Sequence, residues 1–119
     1  MILVADDDKG VLDLYKAFLT EEGYDVLAAE DGEAALNLFN ENAGSVELVI
    51  TDMEMPKMTG PELIDELKSS LFNIELPIII VSGEEPHWHG VDDTEFLYYL
   101  RKPFRVADLK KLLTSVLKE

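Results

Sequence analysis

Short runs of unbroken apolar residues alternate along the chain with longer stretches in which apolar positions recur every three or four residues. The first pattern suits strands covered on both sides and the second suits helices with one buried stripe. Ile2-Leu3-Val4-Ala5 reads as the first strand, and Val11, Leu12, Leu14, Tyr15, Phe18 and Leu19 define a helix that Gly23 stops. A weaker strand at Asp25 to Ala28 leads to Asp31-Gly32-Glu33, an N-cap signal for a helix carrying Ala35, Leu36, Leu38 and Phe39 and ending near Asn42 to Gly44. The third strand runs from Val46 to Thr51 and opens into the loop Asp52 to Gly60, punctuated by Pro56 and Gly60. Pro61 fits the first turn of a helix whose apolar face is Leu63, Ile64, Leu67 and Leu71. Pro77 opens the most hydrophobic strand, Ile78 to Val81; Phe96 to Leu100 is the fifth. Val106, Leu109, Leu112, Leu113, Val116 and Leu117 make one stripe on the last helix.

Five β-α units in succession predict an α/β fold with a doubly wound, five-stranded parallel sheet of order 2-1-3-4-5, flavodoxin-like, occupying residues 1–119 as one domain. The pattern fails between Gly83 and Glu95, where a fourth helix belongs but a proline, a glycine and no helical period are found. A short or irregular helix is expected there.

Charge narrows the class of partner. Twenty-five acidic against ten basic residues leave a net charge of −15, which repels a phosphate backbone or an anionic membrane. The absence of cysteine excludes disulfides, thiolate nucleophiles and cysteine-ligated zinc. No apolar run approaches the ~20 residues of a membrane span, and Met1 to Ala5 is too short for a signal peptide, so a cytoplasmic protein is expected.

In an open parallel sheet, ligands bind beyond the carboxyl ends of the strands where the winding reverses. Asp6, Asp7 and Asp8 follow the first strand there, and Asp52 follows its neighbour, the third. Four carboxylates on one rim repel unless they share a cation, and an all-oxygen donor set suits magnesium. Taken alone, the triple aspartate reads as a helix cap at Asp8 with Asp6 and Asp7 solvated; the added Asp52 favours the shared cation. Ser82 and Lys102 end the fourth and fifth strands on the same rim, giving a phosphate-sized hole with a positive wall and hydroxyl donors.

The segments Ile2 to Asp8, Val49 to Pro56 with Met58-Thr59-Gly60, Ile80 to Gly83, and Lys102-Pro103-Phe104 together resemble the receiver domain of two-component response regulators, in order and over nearly the whole chain. The resemblance implies that Asp52 is the phosphoacceptor, taking a phosphoryl group from a histidine kinase or a histidine phosphotransfer protein. It implies Mg2+ held by Asp7, Asp52 and the main-chain carbonyl of Glu54, with Asp6 acting through water. Lys102 would pair with Asp52 and then with the phosphoryl oxygens, Ser82 would be the switch hydroxyl, and Tyr99 the aromatic that moves with it. A Lys102-Pro103 cis bond is also implied, as is a readout face made of the fourth helix, fifth strand and fifth helix. Phosphoryl transfer and dephosphorylation would be self-catalysed at Asp52, without turnover of a separate substrate.

The segment Glu84 to Glu95 departs from that family, and the interval from Ser82 to Lys102 is slightly short. His87-Trp88-His89 reads as a surface loop, since histidines two apart share no helical face and no ligand set accompanies them. Tyr98 and Tyr99 point to opposite faces of a strand, and the spacing from Lys102 selects Tyr99. Glu54 and Glu84 add negative charge at the mouth of the site and are expected to slow reaction with free anionic phosphodonors. Two rival readings are an aspartyl-phosphate phosphatase of the haloacid-dehalogenase type, which Asp6-x-Asp8 resembles, and a degenerate receiver that binds a protein without phosphorylation. The kinase, the downstream protein target and the output stay open, as do a homodimer formed on activation and whether the chain stands alone or is cut from a longer one.

Overall fold

The computed structural model describes residues 1–69, 76–83 and 97–117. Its strands are β1 (Ile2–Ala5), β2 (Val26–Ala29), β3 (Leu48–Asp52), β4 (Ile78–Ser82) and β5 (Leu97–Arg101). They form one parallel sheet of order β2-β1-β3-β4-β5, the flavodoxin-like order that was expected. The helices among the described residues are α1 (Lys9–Glu21), α2 (Gly32–Glu41), α3 (Gly60–Lys68) and α4 (Val106–Leu117). The irregular fourth helix expected after Gly83, the His87-Trp88-His89 segment, Glu84 and Leu71 lie outside the described residues.

Each central strand sorts its side chains by alternation. Leu3, Ala5, Val49, Ile78 and Ile80 face Phe39 of α2 and Leu63, Ile64 and Leu67 of α3. Ile2, Val4, Leu48, Ile50, Ile79 and Val81 face Leu12, Tyr15 and Leu19 of α1 and Leu109 and Leu113 of α4. Burial on both faces is why these strands read as unbroken apolar runs. At about 1.5–3 kcal/mol for each buried large aliphatic side chain, the two clusters hold β1, β3 and β4 rigidly and so fix the positions of their carboxyl ends.

Element ends differ from the sequence reading by a residue or two, for local reasons. β2 begins at Val26 because Asp25 lends only its carbonyl to the ladder, accepting from the Ile2 amide at 2.8 Å. β3 begins at Leu48 because the Glu47 amide is spent on the Met1 carbonyl. It runs on through Asp52, which pairs with Val81, and β4 likewise includes Ser82. Gly23, at φ +98°, closes α1 as expected. No helix among the described residues is long and apolar enough to cross a membrane.

Candidate functional site

The ends of β1, β3, β4 and β5 meet at one rim. The Asp6 amide donates to the Ala29 carbonyl at 3.1 Å and the Asp8 amide to Asp6 Oδ1 at 2.9 Å, so the Asp6 carboxylate is folded inward and is only 1% exposed. Asp8 turns away: its Oδ1 accepts from the Gly10 and Val11 amides at 2.8 and 3.4 Å and caps α1. The expectation of four crowded carboxylates is therefore corrected to three. Capping and clustering are not rivals here, because the cap takes Asp8 and the cluster takes its neighbours. Carboxylate oxygens of Asp6, Asp7 and Asp52 lie within 4.8 Å of one another. Asp6, read as solvated in the plain account of the triple aspartate, is buried instead.

Lys102 follows β5, its backbone amide donating to the Ser82 carbonyl at 2.7 Å. Its ammonium stands 3.3 Å from Asp6 Oδ2 and 3.4 Å from Asp52 Oδ1. The predicted partner Asp52 is thus joined by a second, Asp6, which the spacing of motifs gave no means of assigning. Burial raises the Asp52 carboxyl above the usual carboxylate range, the Asp6 charge adds to this, and Lys102 and the Met53 amide at 2.9 Å pull back part of the way. For Lys102, burial alone would lower the ammonium's pKa; Asp52 and Asp6 outweigh it and raise it. The charge state is a lysine cation between two buried or half-buried acids.

The opening above these groups is a cavity of about 380 Å³ lined by Asp7, Asp52, Met53, Glu54, Ser82, Gly83 and Lys102. Ser82, at the end of β4, is buried on its wall. Glu54 is exposed at its mouth. Tyr99 pairs with Ile80 and packs on the α2–α3 side of the sheet, whereas Tyr98 packs on the other, so the spacing argument chose between two side chains that do point oppositely. The Lys102-Pro103 bond is cis, as the motif implied.

The loop from Met53 to Thr59 is shaped by contacts among residues that the sequence offered only as turn, cap and motif positions. The Gly60 amide donates to the Met53 carbonyl at 2.9 Å, closing the loop on itself. A Cβ at Gly60 would lie 2.4 Å from the Asp52 carbonyl oxygen, and one at Gly32 would lie 2.2 Å from that of Met58. Backbone thus meets backbone at both places, which only glycine allows. Lys57, at φ +68°, reaches Asp31 at 3.7 Å, the same carboxylate that caps α2 through the Ala34 amide. Thr59 and Glu62 close the far end in a reciprocal capping box.

A carboxylate at a strand tip, beside two further acids and a lysine on a sheet of this order, is the arrangement that the four motifs implied. Residues 2–114 match the model of the response regulator receiver domain. The chain belongs to this family. The receiver domain is 33% identical over 119 residues to response regulator RR06 of Streptococcus pneumoniae serotype 2, covering 98% of this chain and 52% of that one. It is 33% identical over 124 residues to the transcriptional regulatory protein CpxR of Escherichia coli K12, covering 98% and 49%. The receiver domain therefore spans about half the length of these curated relatives. Among solved structures, the receiver domain of the hybrid histidine kinase CckA superposes with a TM-score of 0.83 at 31% identity, covering 98% of this chain and 97% of that one. A response regulator receiver domain from Clostridium thermocellum gives 0.80 at 32%, covering 98% and 93%.

Proposed function

We propose that this receiver domain accepts a phosphoryl group on Asp52 from a phosphohistidine of a histidine kinase or phosphotransfer protein, and that the modification biases the surface it presents to a downstream protein. The observation that carries the reading is the Asp52 carboxylate at the tip of β3, with Asp6 and Asp7 within 4.8 Å and Lys102 at 3.4 Å. Three carboxylates with so close a spacing fit a hard divalent cation, so Asp7, Asp52 and the Glu54 carbonyl are the groups that would hold Mg2+, with Asp6 assisting through water. Bound there, Mg2+ supplies charge neutralisation to the equatorial phosphoryl oxygens.

The chain's own groups do the rest. An Asp52 oxygen forms the new P–O bond as the P–N bond to the donor imidazole breaks, and the imidazole keeps the electron pair and takes up a proton. Met53 holds the other reactant in line by donating its amide to Asp52 Oδ1. Lys102 gives its charge to the transferred group, leaving Asp6 as its remaining counter-ion. Ser82 supplies a hydroxyl on the cavity wall that the new oxygens attract, with Tyr99 following it. Shifting a two-state equilibrium from 1:99 to 99:1 takes about 5.5 kcal/mol. A few charge-assisted hydrogen bonds, at roughly 1.5–3 kcal/mol each, are of that order. In this reading the domain catalyses only its own phosphorylation and dephosphorylation, and it works in the cytoplasm, where a kinase finds ATP.

The test is phosphate incorporation from a small acyl phosphate with and without Mg2+, followed by intact mass. Hydroxylamine-sensitive incorporation that needs Mg2+ and is lost in Asp52→Asn supports the reading. Incorporation that survives Asp52→Asn and is lost in Asp6→Asn favours the phosphatase chemistry instead, and no incorporation in the wild type favours a phosphorylation-independent binding module.

A further inference from the structure

Lys102 is held on two sides, and the second hold lies outside the phosphorylation cavity. On the strand side its amide is fixed to the Ser82 carbonyl at 2.7 Å. Two residues further on, the Phe104 ring lies parallel to that of Tyr15, with centroids 6.2 Å apart and planes at 11°. Tyr15 is the aromatic of α1 that is buried to 1% exposure. The helix carrying it starts from the Asp8 cap, two residues beyond Asp6. The opposite side of this turn is open: a groove of about 480 Å³ lined by Asp8, Val11, Leu14, Lys102, Pro103 and Phe104 runs beside it. Phe104 is therefore seated from within, on Tyr15, and not enclosed from without.

We infer that Tyr15 is a positioning residue for phosphoryl transfer: by seating Phe104 it fixes the turn that places the Lys102 ammonium between Asp6 and Asp52. This rests on the reading of Asp52 as phosphoacceptor. The ring, not the hydroxyl, does the seating. A lysine side chain has four rotatable carbons, and with its backbone turn loose the ammonium would sample water and either acid in place of one shared site. Misplacement of a transition-state charge by about 1 Å costs up to about 100-fold in rate.

The experiment compares Tyr15→Leu, Tyr15→Phe and Phe104→Ala with wild type and with Leu113→Ala, a core truncation in α4 of the same apolar cluster. Phosphorylation by a small acyl phosphate should fall at least about tenfold in Tyr15→Leu and Phe104→Ala while Tyr15→Phe stays within about twofold of wild type. Magnesium should bind these variants at least as tightly as wild type, because the loosened ammonium no longer competes for Asp6 and Asp52. Leu113→Ala should be phosphorylated at the wild-type rate. A second readout does not depend on phosphorylation: competitive acetylation of Lys102, read by mass spectrometry against the exposed Lys16, should rise at least about fivefold in Tyr15→Leu and Phe104→Ala. Unchanged acetylation in both variants would overturn the inference. So would Tyr15→Phe behaving like Tyr15→Leu, or weaker magnesium binding alongside the slower rate. If the wild type takes up no phosphoryl group while the acetylation pattern holds, the functional reading fails and the positioning of Lys102 stands.

Discussion

The Lys102 ammonium lies 3.4 Å from Asp52 Oδ1, at a strand tip where burial and a neighbouring acid both act against a charged carboxylate. Lys102 compensates only in part, since Asp6 claims the same cation at 3.3 Å. The metal-free site is thus built with an excess of negative charge, and its stability is expected to depend on whatever cation approaches.

Asp52 makes the pH dependence specific. Its folded pKa is raised, so the stability it contributes is fully present below its unfolded pKa and is lost as pH rises through the folded value. At neutral pH the ionised group is a net liability without metal. Asp52→Asn should therefore stabilise the metal-free protein at pH 7 by about 1 kcal/mol, a few degrees in Tm. The gain should shrink on acidification and on adding Mg2+ to the wild type. Thermal melts across pH, with and without Mg2+, check this; a variant less stable than wild type at pH 7 without metal contradicts it.

Removing the cation should do the reverse. Lys102→Met leaves Asp6 and Asp52 facing each other with no counter-charge. Because Lys102 is 31% exposed, the loss is discounted for screening to roughly 1–2 kcal/mol. Added Mg2+ should recover most of it, as measured by urea denaturation in matched salt.

Gly32 governs the loop that carries the Glu54 carbonyl. A methyl group there would meet the Met58 carbonyl oxygen at 2.2 Å, so the loop must move away from α2. Gly32→Ala should cost about 1–3 kcal/mol of stability. It should weaken magnesium binding, whereas Phe39→Leu in the same helix should lower stability alone. Isothermal titration with Mg2+ separates the two.

Glu54 tests the role of charge at the mouth. Glu54→Ala should speed phosphorylation by a small acyl phosphate about two- to fivefold at low ionic strength, and the difference should fade as salt screens it. An unchanged rate at low salt would remove the idea.

How much of this was legible follows from what each feature depends on. The parallel sheet and both apolar clusters follow from alternating runs, because a strand buried on both sides must be apolar at every position, as Ile78 to Val81 is. Asp52, Ser82 and Lys102 could be placed because each ends or follows a strand, and strand ends in this topology converge on one rim. Contacts across that rim were not legible. The sharing of Lys102 by Asp6 and Asp52 depends on rotamers, which local spacing does not encode, whereas the cap at Asp8 was one of the readings that the triple aspartate offered. Gly32 was read as part of a cap signal, but its lack of a side chain is required by Met58, a residue far away in sequence. Tyr15 was read as a core position of α1, which it is; its stack on Phe104 could be found only once the fold had brought the turn after β5 to α1.

The most direct measurement is a crystal structure of the protein soaked with Mg2+ and beryllium fluoride. The account predicts a trifluoroberyllate group on an Asp52 oxygen, fluorines meeting the Lys102 ammonium and the Ser82 hydroxyl, and a cation held by Asp7, Asp52 and the Glu54 carbonyl. An empty β3 tip under saturating reagent, or the group attached at Asp6, would contradict it.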